Sequence, residues 1–122
     1  MKLIPLIAMS SLTLFLATTT LLWAATETTV TEIAQNPDKF HQAEVVVSGR
    51  AIGIQLKTSR RGNPYTLFSL TDASTGTKVT VYSRGHQAVK ESSAVTVQGI
   101  YYKVLHRSGY TFTNEIDAIS IR

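Results

Sequence analysis

The residues in this chain that could do chemistry are cations and tyrosines. Lys57, Arg60 and Arg61 fall in one polar stretch that runs on into Gly62-Asn63-Pro64-Tyr65. Lys103, His106 and Arg107 fall in a second, much later one. A guanidinium fork matches phosphate and carboxylate geometry, and cations gathered from two places raise a field that attracts polyanions. Tyr65, Tyr82, Tyr101, Tyr102, Tyr110 and Phe112 are spread through the same region. Rings of this kind hold single-stranded nucleic acid by stacking, at about 1–3 kcal/mol per base. Tyr65, Tyr82 and one of Tyr101 or Tyr102 can share a face with Arg50. Two plainer explanations stand beside this one. Hairpin tips carry Lys and Arg for solvation alone, and strand tyrosines suit half-buried pleated positions.

Other chemistries find less to work with. The absence of cysteine excludes disulfides, thiolate metal sites and Cys nucleophiles. His41, His86 and His106 are far apart and have no carboxylate at ligand spacing, so no metal site is expected. His106 matters instead as a titratable member of the second basic stretch. No Ser sits in a nucleophile-elbow context, and no Asp/Glu pair can be placed on facing strand positions. Asp72 reads as a turn former, and Glu115 and Asp117, flanking Ile116, as outward-pointing. The expectation is a protein that binds, with neither enzyme activity nor a cofactor.

The elements that must position these residues begin after an apolar start. Residues 1–25 carry one charge, Lys2, then a leucine-rich run and a small-residue end at Ala24-Ala25, which is the pattern of a signal peptide. The run is also long enough to serve as an uncleaved membrane anchor, and either reading puts residues 26–122 outside the cytoplasm, periplasmic or secreted. Removal of residues 1–25 leaves 97 residues and lowers the net charge from +4 to +3. That is one small domain, held by packing alone. Its charge is uneven: residues 27–44 sum to −3, residues 45–72 to +3, residues 78–107 to +4 and residues 108–122 to −1.

Thr29 with Glu32 makes a capping box for one short helix, stopped by Asn36-Pro37-Asp38. Five strands follow: Glu44 to Ile54, Tyr65 to Thr71, one around Val79 and Val81, Ala94 to Val104, and Tyr110 to Ile121. In the first, Val45, Val47 and Gly49 share one face, and Gly49 and Gly53 predict bends or bulges. Phe68 and Phe112 are expected in the core, with Ile116, Ile119 and Ile121 the apolar members of the last strand. Residues 84–93 break the alternation as a loop or short helix. Strands of this spacing predict an all-β, five-stranded Greek-key barrel; a small sandwich is the alternative, disfavoured by the mid-strand glycines.

Val45-Val46-Val47-Ser48-Gly49-Arg50, Phe68-Ser69-Leu70-Thr71-Asp72, Val79-Thr80-Val81-Tyr82 and Val95-Thr96-Val97-Gln98-Gly99 together resemble the OB-fold, most closely the anticodon-binding type, over about residues 41 to 121. The same frame resembles the periplasmic haem chaperone of cytochrome c maturation. That family's haem-attaching His lies beyond the last strand, where this chain has only Ile121-Arg122, and the departure argues against haem delivery. Size, export segment and the Phe68-to-Asp72 stretch before Thr75-Gly76 are similar to a small periplasmic OB family linked to stress tolerance, whose likeness implies a binding module. On an OB barrel the first-to-second and fourth-to-fifth strand loops flank the ligand face. The resemblance therefore converges Arg50, Lys57, Arg60, Arg61, Tyr65, Tyr82, Tyr102, Lys103, His106 and Arg107 on single-stranded nucleic acid or another polyanion. The alternative is an envelope-stress adaptor of the same fold that docks a protein partner and binds no nucleic acid. Membrane association follows only if residues 1–25 stay attached.

Overall fold

The computed structural model describes residues 25–122, so the export segment expected over residues 1–25 lies, but for Ala25, outside the described residues. Six strands and two short helices follow in order. They are β1 (Thr26–Thr28), α1 (Val30–Gln35), α2 (Pro37–Phe40), β2 (Glu44–Thr58), β3 (Pro64–Thr71), β4 (Lys78–Arg84), β5 (Ala94–Arg107) and β6 (Tyr110–Ile121). No helix among the described residues is long and apolar enough to cross a membrane.

The long strand β2 organises the sheet because it serves two neighbours. Its first half, Glu44 to Arg50, runs antiparallel to β5, and its second half, Arg50 to Thr58, runs antiparallel to β3. From β3 the ladder passes to β4, then in parallel to β6, and from β6 back to β5, so the β2–β5 pairing closes the ring. Two close approaches let one strand do this. A Cβ on Gly49 would stand 2.7 Å from the carbonyl oxygen of Thr71, and one on Gly99 would stand 2.3 Å from that of Asp117. Gly53, at a φ of 69°, sits inside the register shift between Ile52 and Gln55. That is the bulge the glycine pattern anticipated.

Strand alternation sends Val45, Val47, Ala51, Phe68, Leu70, Val79, Val81, Val97 and Ile116 into the core, all buried. The helices close one end with Val30, Ile33 and Phe40. The Glu32 amide donates to the Thr29 hydroxyl at 3.0 Å, as the capping box requires. Helix α1 ends at Asn36 as expected, but Pro37 then opens a second turn of helix, because a proline at the first helical position gives up no hydrogen bond. Asp72 does more than form its turn. Its Oδ1 accepts from the Ser74 amide at 3.0 Å, and its Oδ2 accepts from the Thr31 hydroxyl at 2.6 Å, tying α1 to the β3–β4 connection. These bonds hold the Asp72 carboxyl below the ordinary carboxylate range.

The connection from Gly85 to Ser93 forms no helix. It is strapped to β2 where the bulge frees backbone donors. The Gly53 and Ile54 amides donate to the Glu91 carboxylate at 2.9 to 3.1 Å, and Arg50 Nη1 donates to the Ser92 carbonyl at 2.8 Å.

Two expectations change. Strand β1 is a sixth strand, parallel to β2 through Thr26 to Thr28 against Val45 to Val47. Strands β2 and β5 run to Thr58 and Arg107, beyond the barrel, because a strand solvated on both faces still pairs but loses its apolar period. Ile119, one of the apolar members of the last strand, is 62% exposed, lying past the last β4–β6 pair, which is Tyr82 with Asp117.

Candidate functional site

Strands β3 and β4 present one face to the core and the other outward. Thr66, Phe68 and Leu70 point in, as do Val79, Val81 and Ser83, so Tyr65, Leu67, Ser69 and Thr71 share the outer face with Lys78, Thr80, Tyr82 and Arg84. The register adds Ile52, Gln55 and Lys57 from β2 on one side, and Glu115 and Asp117 from β6 on the other. Two hairpin arms rise at the edges. One is the β2–β3 hairpin, turned by Ser59 to Asn63 with Gly62 at a φ of 88°, and it carries Arg60 and Arg61 exposed at its tip. The other is the β5–β6 hairpin, turned by Ser108 and Gly109, whose φ values of 52° and 83° are those of a two-residue type I′ turn.

Aromatic rings and a guanidinium make a ladder across this face. Tyr65 and Tyr82 are diagonal neighbours and stack at 5.5 Å with 29° between their planes. Arg107 comes over from the second arm, its Cζ 4.4 Å from the Tyr82 ring centre and 4.9 Å from that of Phe112. Phe112 in turn meets Tyr110 at 6.5 Å. The arm is bent where Asn114 takes a φ of 53°, a conformation pinned from both sides. Its Oδ1 accepts from the Tyr101 hydroxyl at 3.0 Å and its Nδ2 donates to the Lys78 carbonyl at 3.1 Å.

The face also contains acid. Arg107 Nη2 donates to Glu115 Oε2 at 2.7 Å, and the Glu115 side chain is 4% exposed. Arg84 Nη1 lies 3.6 Å from Asp117 Oδ1, an ion-pair distance beyond hydrogen-bond reach, and that oxygen has no hydrogen-bond partner. Lys57, Lys78, Arg60 and Arg61 have no carboxylate partner among the described residues, so the uncompensated charge sits at the groove's rim and on the first arm. Between them a shallow groove of about 290 Å³ is lined by Ile52, Gln55, Leu67, Ser69, Thr71, Lys78 and Thr80. Among the described residues no group of three His, Asp or Glu could hold a metal ion.

Of the ten residues singled out in the sequence, Lys57, Arg60, Arg61, Tyr65, Tyr82 and Arg107 meet on this face and its arms. Lys57, Lys103, His106 and Arg107 stand on strands, not in loops as expected. His106 stays on the second arm, its Nδ1 3.1 Å from the Thr111 hydroxyl. The other three are committed elsewhere. Arg50 points outward but is bound to the Ser92 carbonyl. Lys103 pairs with Asp38 at 2.7 Å, at the helical end, and its amide donates to His41 Nδ1. That pairing holds the Asp38 carboxyl below its usual range. Tyr102 has its ring edge-on to His41 at 6.3 Å. Tyr101 is core, 1% exposed, and burial raises its hydroxyl pKa. Phe112 was expected in the core and instead forms a rung of the ladder, because the bend at Asn114 carries it off the barrel's inner face. Lys78, Arg84 and Leu67 were not singled out. Their alternation with Val79, Val81 and Phe68 was the available signal. Glu115 faces outward as expected, yet it is buried beneath Arg107.

Several solved structures resemble this fold. The crystal structure of yeast Stn1 and Ten1 matches with a TM-score of 0.60 and 11% identity, over 83% of this chain and 63% of the yeast chain. The solution structure of the OB domain of Ta0387 from Thermoplasma acidophilum matches with a TM-score of 0.51 and 18% identity, over 80% of this chain and 84% of that one. No family model matches the sequence, and no curated protein is similar to it in sequence. The likeness to an OB domain, together with the closed strand order, establishes the class: this chain is an OB-fold domain protein.

Proposed function

We propose that this OB-fold domain binds single-stranded nucleic acid or another polyanion, works outside the cytoplasm and catalyses no reaction. One observation carries the reading. The Tyr65–Tyr82 stack and the Arg107 guanidinium lie together on the β3–β4 outer face, between two arms. That is where OB domains hold extended chains, with aromatic rings for bases and cations for the backbone. Lys57, Lys78, Arg60 and Arg61 supply backbone charge from the groove's rim and the first arm, and Ser69, Thr71 and Thr80 line the groove with hydroxyls. The yeast and archaeal neighbours lend the fold, and the side chains named here lend the chemistry.

Charge reversal at the tip tests this reading against solvation alone. Arg60→Glu/Arg61→Glu weakens binding of a fluorescein-labelled dT oligomer by tenfold or more at low salt, and Lys103→Glu, on the helical end, leaves it within about twofold. A Lys103→Glu effect about half that of the double change in log K, the ratio of two charge units to four, would reduce the attraction to net charge and remove the face from the account.

A further inference from the structure

An acid buried in the middle of a face proposed to take polyanions opposes it by Coulomb's law, yet Glu115 is placed to do the opposite. Its side chain is 4% exposed, and its Oε2 accepts from Arg107 Nη2 at 2.7 Å. The guanidinium it holds lies over two rings, 4.4 Å from the Tyr82 centre and 4.9 Å from Phe112. An unpaired arginine near the tip of a two-stranded arm would sample many rotamers, and ordering it costs up to about 2 kcal/mol on binding. Here that ordering is done in the folded protein. Guanidinium has five N–H donors, and among the described residues one of them is spent on Glu115. The Arg107 side chain is 31% exposed, so solvent reaches its remaining edge.

Resting on the polyanion reading above, we infer that Glu115 is a positioning residue: it holds the Arg107 guanidinium over Tyr82 and Phe112 so that the free edge is ready for a phosphate oxyanion. The arrangement is pre-organised, and pre-organisation raises affinity by removing an ordering cost. Glu115 touches no ligand itself. Its carboxylate also compensates the charge that Arg107 would otherwise bring uncompensated against two half-buried rings. The bend at Asn114 is the third part, since it turns the arm so that Arg107 can return onto the body of the sheet.

The test measures binding of a labelled dT oligomer as a function of salt for the wild-type protein, Arg107→Ala, Glu115→Leu, Glu115→Gln and the Arg107→Ala/Glu115→Leu double variant. Circular dichroism melts establish how much of each variant is folded. Glu115→Leu removes a negative charge, so charge counting alone expects tighter binding. Positioning expects binding weakened about tenfold, the net worth of one charge-assisted hydrogen bond. It also expects the slope of log K against log salt to flatten by about 0.7, the loss of one phosphate contact from a single strand. Unfolded protein lowers the active fraction and leaves that slope unchanged. The double variant should bind no worse than Arg107→Ala, and Glu115→Gln, which keeps an acceptor at the same reach, should fall between wild type and Glu115→Leu. Glu115→Leu that binds as tightly as wild type or tighter, with the wild-type slope, overturns the assignment. Wild-type protein that binds no polyanion at low salt overturns the parent reading and this one with it.

Discussion

Gly99→Ala should be among the most damaging single-methyl changes this domain can suffer. A Cβ at Gly99 would meet the Asp117 carbonyl oxygen at 2.3 Å, the Ala118 Cα at 2.8 Å and the Asp117 carbonyl carbon at 2.9 Å. All three are backbone atoms of β6, so no side chain can swing aside. Relief needs the strands to part by about 1 Å where β5 is already hydrogen-bonded to β2 and β6, with Val45 and Ala118 as its neighbours in register. Overpacking a core costs about 1–3 kcal/mol when side chains can adjust, and a backbone-on-backbone clash belongs at or beyond the top of that range. A loss of about 3 kcal/mol lowers the melting temperature of a domain this size by roughly 12 °C or more. Against a total stability of about 5–15 kcal/mol, that is a large fraction. The assay is a thermal melt followed by far-ultraviolet circular dichroism, with urea unfolding as a second measure. Gly49→Ala is the internal comparison: its Cβ would meet the Thr71 carbonyl oxygen at 2.7 Å and otherwise the movable Leu70 side chain, so it should cost less. Gly99→Ala within 1 kcal/mol of wild type, or less damaging than Gly49→Ala, would refute the view that these two glycines exist to let the strands close.

Other expectations follow from the same contacts. Tyr101→Phe removes the hydroxyl that donates to Asn114 Oδ1, and should cost about 1 kcal/mol in urea unfolding, with part of the loss appearing as weaker oligomer binding because the arm's bend loosens. Three carboxyls are held below their ordinary values: Asp38 by its hydrogen bond to Lys103, Asp72 by its bond from Thr31, and Glu91 by the Gly53 and Ile54 amides. A lowered folded-state pKa gives stability that is complete above the unfolded value and is lost as pH falls through the folded one. Melting temperature should therefore hold steady down to about pH 4.5 and decline below it, and Asp72→Asn should make the decline below about pH 4 shallower. Lys103→Glu places a second negative charge against Asp38, so it should lower the melting temperature while leaving oligomer affinity within about twofold.

Much of the barrel was legible because its core obeys a period of two. Val45, Val47, Phe68, Leu70, Val79, Val81 and Val97 alternate with polar neighbours, and the glycines that end two of these runs mark close strand crossings. Illegible elements share one physical property: nothing apolar marks them. Strand β1 is Thr26-Glu27-Thr28, with no apolar residue, held by its pairing with β2 and by the Thr28 hydroxyl donating to Glu32, and the arms of β2 and β5 pair without burying a face. The site was half legible for a related reason. Tyr65 and Tyr82 fall on the outer face by alternation, whereas Lys103 is claimed by Asp38 and Arg50 by Ser92, partners 65 and 42 residues away that no local pattern connects. Tyr101 and Tyr102 are adjacent, so one had to be core, and the Val97-to-Gly99 register decides for Tyr101. Phe112 was misplaced because a positive φ at Asn114 breaks the alternation that assigned it.

The most direct test of the ligand face is fluorescence anisotropy of a labelled dT oligomer titrated with the protein between 20 and 200 mM salt, roughly the range over which phosphate contacts dominate affinity. Lys57, Arg60, Arg61 and Lys78 lack carboxylate partners among the described residues, and with Arg107 they make five phosphate contacts and predict a slope of log K against log salt of roughly −3.5. Tyr82→Ala should weaken binding at every salt concentration without changing that slope. An anisotropy that does not rise at the lowest salt, or binding indifferent to salt, would contradict the account.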